Sequence, residues 1–139
     1  MDFKLGQRLA DSSHLVSRID DIQVRIADDS RYVWLLLIPE KAGVVELHDL
    51  TGDLRGWLFA LAAHLSGWIK TTFTADKINV AAIGNLVPQL HLHIVARLRG
   101  DAARPGPVWG HGAPTALSET EKQRLITAIA TFLETGEIG

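Results

Sequence analysis

Gln89, His91 and His93 stand two residues apart, interleaved with Leu90 and Leu92 and followed by Ile94 and Val95. Side chains alternate between the two faces of a β-strand, so the amide and the two imidazoles share one side while Leu90, Leu92 and Ile94 share the other. Imidazole serves as nucleophile, general acid or base, or metal ligand near neutral pH, because its ordinary pKa is about 6.5. A polar row of this kind, backed by an apolar row, suits a strand whose chemical face meets a ligand. The competing reading is a half-exposed strand with two solvated histidines, since i, i+2 pairs arise wherever polar and apolar residues alternate.

Such a strand needs elements to hold it. Phe3, Leu5 and Leu9 fall loosely at helical spacing, but Gly6 limits them to a short helix. Residues 14–19 and 22–26 alternate apolar with polar around Asp20-Asp21, which reads as a β-hairpin. Asp28-Asp29-Ser30 breaks that pattern. Tyr32 through Ile38 then runs almost wholly apolar, as expected of a central strand covered on both faces and stopped by Pro39. Leu54, Trp57, Leu58, Leu61, Leu65, Trp68 and Ile69 recur at helical spacing, with Asp49 or Thr51 as the cap of a long helix.

Residues 76–84 read as a fourth strand, Gly84-Asn85 as a turn, and Pro88 forces Val87 into the extended conformation that leads to the histidines. The Gly/Pro-rich stretch 100–114 has no periodicity, yet its Trp109 argues against disorder. Ser118-Glu119-Thr120-Glu121 is a capping box that opens a last helix with Leu125, Ile126, Ile129, Phe132 and Leu133 as its apolar stripe. Five strands in an antiparallel meander, one long helix and one terminal helix make an α+β domain.

With 139 residues, the chain is expected to form a single domain, 1–139, with a self-sufficient core. A hydrophobic content of 47%, a charged content of 22% and a net charge of -2 exclude a disordered or nucleic-acid-coating chain. The absence of cysteine excludes disulfides, thiolate metal sites and thiol nucleophiles, leaving His, Asp or Glu to bind any metal. The N-terminus lacks an apolar signal core and the longest apolar run, residues 33–38, is too short to span a bilayer, so a cytoplasmic protein is expected. Neither a Gly-rich phosphate loop ending in Lys-Ser/Thr nor a Gly-x-Ser-x-Gly elbow is present.

The stretch Gln89-Leu90-His91-Leu92-His93-Ile94-Val95 resembles the signature of the histidine triad (HIT) superfamily, His-φ-His-φ-His-φ-φ with φ apolar, at every position but the first, where Gln89 stands. Residues 32–39 resemble the family's strand ending in proline, and Glu46-Leu47-His48-Asp49-Leu50 the lead into its long helix. Pro105-Gly106-Pro107-Val108-Trp109-Gly110 after the motif is similar to a bacterial subgroup. The resemblance implies a HIT-like five-stranded antiparallel sheet, commonly paired with its twin in a homodimer.

The resemblance also implies chemistry. His91 matches the histidine that attacks the α-phosphorus of a nucleotide to form a nucleotidyl-imidazole intermediate. His93 matches the last histidine, placed to donate to a non-bridging phosphate oxygen or to help protonate a leaving group. Gln89 cannot titrate, so in a catalytic set with His91 and His93 it keeps an orienting role at most. Asn85 falls where the family binds phosphate and is equally a turn residue; Asp28, with Asp29, falls where the family grips ribose hydroxyls, while Asp28-Asp29-Ser30 is also an ordinary hairpin turn, the reading its residues favour. Trp34 occupies the place of an additional histidine found in several relatives, and reads as a buried aromatic. Trp109 either closes over a base or dimer seam or anchors its loop, and Arg97, Arg99 and Arg104 either attract polyphosphate or are merely solvated. His14, His48, His64 and His111 read as structural or surface residues.

The expected function is thus a nucleotide hydrolase or nucleotidyl transferase, acting at the α-phosphate of adenylylated or dinucleoside polyphosphate substrates through a covalent nucleotidyl-histidine. It needs no cofactor or metal and implies a purine nucleotide or nucleotide conjugate as partner, with no nucleic acid and no membrane. The lost first histidine leaves a non-catalytic purine nucleotide-binding module as the alternative. A metal site on His91 and His93 is the third reading, and two ligands fall short of the three or four that zinc takes.

Overall fold

The computed structural model describes residues 2–138. A short helix α1 (Gln7–Asp11) leads into strands β1 (Ser13–Ile19) and β2 (Ile22–Ala27), which form the expected hairpin. Asp20 turns it at φ 51°, a left-handed conformation that Asp adopts more readily than most residues with a Cβ. β3 (Val33–Pro39) pairs with β2, and Pro39 closes the strand where its missing N–H costs no internal ladder bond.

A single 3-10 turn, Leu47–Asp49, precedes the long helix α2 (Gly52–Thr72), which Thr51 caps by accepting from Leu54 N at 3.2 Å. Asp49, the other candidate cap, holds the preceding turn instead, accepting from the backbone N–H groups of Val45 (3.1 Å) and Glu46 (2.9 Å). Strands β4 (Lys77–Ala81) and β5 (Leu92–Arg97) follow, and α3 (Glu119–Thr135) closes the chain behind the capping box at Ser118 and Glu121.

The sheet is antiparallel throughout but is not the simple meander its strand count suggests. Its order is β1-β2-β3-β5-β4, so the last strand is inserted between β3 and β4. Burial explains the choice: all six residues of β5 are buried, whereas β4 carries exposed Lys77 and Val80 and takes the edge, where one side stays open to solvent.

Register then assigns the faces. Ile22, Val24, Ile26, Leu35, Leu37, Leu92 and Ile94 meet Leu58, Leu61, Leu65 and Ile69 of α2 and Ile129 and Leu133 of α3 in the main core. Burying each such side chain contributes about 1.5–3 kcal/mol relative to exposure. The opposite face carries Leu36 and Ile38 under Phe3, Leu5 and Leu9 of the N-terminal segment. It also carries Val95 with Tyr32, Trp34, Ala103, Val108 and Trp109. His93 lies on this second face, across from Leu36 and Ala81.

Candidate active site

Pro88 delivers the chain in extended form, and Leu90 N donates to Val44 O at 3.1 Å, which stitches the segment before β5 to the segment before α2. Gln89 and His91 therefore lie just ahead of the ladder rather than within it, while Leu90 still points into the main core. The stitched segments enclose a cleft of about 280 Å³, at the small end for a small-molecule site. Val45 to His48, Ala82 to Gly84, Pro88, Leu90 and His91 line it.

His91 is buried in its residue total yet reaches this cleft. Its Nδ1 lies 2.8 Å from the carbonyl oxygen of Gln89. A carbonyl only accepts, so Nδ1 carries the proton and donates, which leaves Nε2 with its lone pair free. That is the form in which a neutral imidazole attacks an electrophile.

His93, 4.8 Å away between ring centroids, is wired in the opposite sense. The indole N–H of Trp34 donates to its Nδ1 at 3.0 Å, so the neutral ring carries its own proton on Nε2. Trp109 packs edge-on to His93 at 5.3 Å, and Trp34 lies 5.7 Å from it. Burial in this aromatic cage, with the neighbouring charge of His91 adding to it, pushes the imidazole down to about 3. At neutral pH His93 is an uncharged hydrogen-bond donor.

The cage has its own anchor. Arg97, 2% exposed, donates from Nε to Asp101 Oδ2 (2.9 Å) and from its η nitrogens to Asp101 Oδ1 (3.0 Å), Asn79 Oδ1 (2.9 Å) and Gly106 O (2.7 Å). Hydrogen bonding from Arg97 holds the Asp101 carboxyl at about 2. These bonds order the loop that carries Val108 and Trp109, so Arg97 is neither solvated nor free to attract a polyphosphate, in contrast to both readings of the sequence.

The remaining candidates disperse. The Gln89 side chain turns to the N-terminal segment, accepting from Gly6 N and donating to Lys4 O, each at 2.9 Å. Its side chain therefore departs from the expected place beside His91 and His93, because an amide matches two free backbone groups that an imidazole would not satisfy together. What Gln89 offers His91 is its main-chain carbonyl. Asp28 accepts from Leu117 N (3.0 Å) and sits 3.2 Å from His14 Nε2, at the start of α3, so its partners are none of the groups around the cleft. Asp29 is likewise occupied by Arg31, at 2.9 Å. Asn85 is exposed in the turn beside Gly84, outside the cleft lining. Trp109 flanks His93 rather than the cleft, and its indole nitrogen is buried without a hydrogen-bond partner.

Sequence reasoning missed two features. His48, a structural or surface residue by its sequence context, joins Glu46 in the lining of the cleft. No local pattern signals this, because it depends on the long-range bond between Leu90 and Val44. The second is the link from Trp34 to His93, which was within reach: cross-strand register places Trp34 and Leu36 of β3 on the same face as His93 and Val95. Among the described residues, no three His, Asp or Glu side chains gather as metal ligands. Nor is any helix there long and apolar enough to cross a membrane.

Comparison with known proteins gives a consistent picture. The family model described as HIT domain matches residues 8–100. A histidine triad protein from Bradyrhizobium japonicum is 39% identical over 94% of this chain and 98% of its own, with a TM-score of 0.91. One from Marinobacter aquaeolei VT8 is 35% identical over 96% and 98%, at 0.93. A histidine triad (HIT) protein from Sinorhizobium meliloti 1021 is 34% identical over 96% and 97%, at 0.89. No curated protein matches.

Proposed function

The chain belongs to the HIT domain family, and on that premise we propose that it is a nucleotide hydrolase or nucleotidyl transferase working through a covalent intermediate on His91. Membership alone supports nucleotide binding or hydrolase and transferase activity in general. The observation that carries the finer reading is the 2.8 Å bond from His91 Nδ1 to the Gln89 carbonyl, which leaves Nε2 unprotonated on a residue that lines the cleft.

The Nε2 lone pair attacks the α-phosphorus of an adenylylated compound or dinucleoside polyphosphate. The phosphorus bond to the leaving group breaks, and the leaving group departs with its electron pair, an amine leaving group taking up a proton from solvent as it goes. Water or another acceptor then attacks the nucleotidyl-His91, returning the electron pair to Nε2 and transferring its own proton to solvent. His93 is not part of the cleft lining, but its ring lies 4.8 Å from that of His91, and on this reading it donates its Nε2–H to a non-bridging oxygen of the phosphate attacked there; preorganised donors of this kind usually supply more of the rate enhancement than any other single effect. Its depressed basicity suits a donor and not a proton shuttle.

Glu46 lines the cleft and is the better match for ribose hydroxyls than Asp28, whose partners lie away from the cleft; its side chain also accepts from the Asp49 backbone N–H, so one carboxylate oxygen caps the turn while the exposed residue offers the other. Asn85 at the rim is kept as a phosphate contact, and Trp109 acts by holding His93. A homodimer belongs to the same reading, with β4 as the open edge and exposed Val80 on it; a single-chain mass by light scattering would remove it. The second reading, a purine nucleotide-binding module without turnover, is favoured by one fact: the Gln89 amide is turned away from the cleft. His91→Ala separates the two. Under the enzymatic reading it abolishes release of AMP while nucleotide still protects the fold against heat; turnover in that variant would sink the mechanism.

A further inference from the structure

We propose that Trp34 is a positioning residue: by donating its indole N–H to His93 Nδ1, it locks the second imidazole in the Nε2–H tautomer and so presents it to the phosphate as a fixed donor. The kinetic side of this inference rests on the function proposed above, whereas the tautomer does not.

A neutral imidazole has one N–H and one bare nitrogen, and its neighbours decide which is which. With Trp34 Nε1 only 3.0 Å from Nδ1, a proton on Nδ1 would set two N–H groups head to head and leave the indole unpaired in a half-buried place. The indole is itself held edge-on by Tyr32 at 6.2 Å and by Trp109 at 6.1 Å. Its backbone pairs with Val95, two residues past His93, so the donor and acceptor sit on neighbouring strands of one rigid sheet. Packing alone does not account for the contact. Trp109 lies as close to His93 as Trp34 does, yet its N–H finds no partner. Only Trp34 is aligned as a donor to the ring.

The test uses two replacements in the full chain: Trp34→Phe, and the sulfur isostere benzothienylalanine at position 34, which keeps the shape of the indole and deletes its N–H. Imidazole nitrogens of labelled protein are read by two-bond proton–nitrogen correlation at neutral pH, without substrate. The wild type is expected to show His93 with Nε2 protonated and Nδ1 bare, and both replacements to show exchange between tautomers. With an adenosine phosphoramidate as substrate, kcat is expected to fall about tenfold or more in both. That is less than the about hundredfold or greater loss of deleting such a donor outright, and KM should change little. A single unchanged Nε2–H tautomer in both replacements, an Nδ1–H tautomer in the wild type, or an isostere that behaves as the wild type overturns the proposal. If the wild type shows no turnover at all, the function proposed above fails while the spectra still decide the role of Trp34.

Discussion

His91 faces an open cleft between residues 45–48 and 82–84, with a backbone carbonyl on its Nδ1, while His93 lies in a cage of tryptophans with an indole N–H on the same atom. One ring thus keeps a free lone pair and the other a free N–H, although the two residues are chemically identical and two positions apart. Environment divides the labour, as it does for paired carboxylates whose surroundings push them to different roles. Under the proposed function the cleft ring is the one that attacks and the caged ring the one that stabilises charge.

The sharpest way to break this division is His91→Ala, which is expected to lower turnover by about 10⁴-fold or more, as loss of a nucleophile does, with folding intact. Cutting the anchor of the cage comes next. Asp101→Ala leaves the Arg97 guanidinium buried without its carboxylate, at 3% exposure, and is expected to cost about 3–5 kcal/mol in denaturant unfolding. His93→Phe should lower kcat about 10²–10³-fold, the loss seen when one preorganised donor is deleted, while leaving the nucleophile able to react.

That variant also has a signature in acid. His93 binds its proton near 3 in the folded chain and near 6.5 when unfolded, so the unfolded state takes up the proton first and wild-type stability falls as pH drops from about 6.5 toward 3. His93→Phe is expected to remove that slope. The fall belonging to Asp101 remains, confined between about 3.9 and 2, because its carboxylate is favoured in the fold. An unchanged slope above pH 4 in urea titrations would count against the cage. The smallest effect is expected from Gln89→Ala. It frees Gly6 N and Lys4 O, costs about 1–2 kcal/mol, and leaves kcat within about threefold because the carbonyl behind His91 stays.

Much of the frame behind this division is legible in the chain itself. The hairpin at Asp20-Asp21, the wholly apolar β3, the periodic apolar stripe of α2 and the capping box at Ser118 are local patterns with local causes, and each forms where expected. The HIT resemblance likewise singles out His91 and His93 as the candidate residues. What stayed hidden depends on pairing between distant segments. The insertion of β5 between β3 and β4, the joining of Val44 to Leu90 that brings His48 and Glu46 to the cleft, and the capture of the Gln89 amide by residues 4 and 6 each need a partner more than ten residues away. Asp28 shows the same limit, since Leu117 and His14, which occupy it, lie far off in sequence.

Central to the proposed chemistry is a covalent bond to one ring of the two. The most direct measurement is mass spectrometry of the protein after brief incubation with an adenosine phosphoramidate and, separately, with a dinucleoside polyphosphate. The reaction is quenched at alkaline pH, where a phosphorus–imidazole bond survives, and the peptides are mapped. The expected result is a nucleotidyl adduct on the peptide bearing His91, localised to that residue and absent from His91→Ala. AMP release without any adduct, or an adduct on His93 or His48, would contradict it.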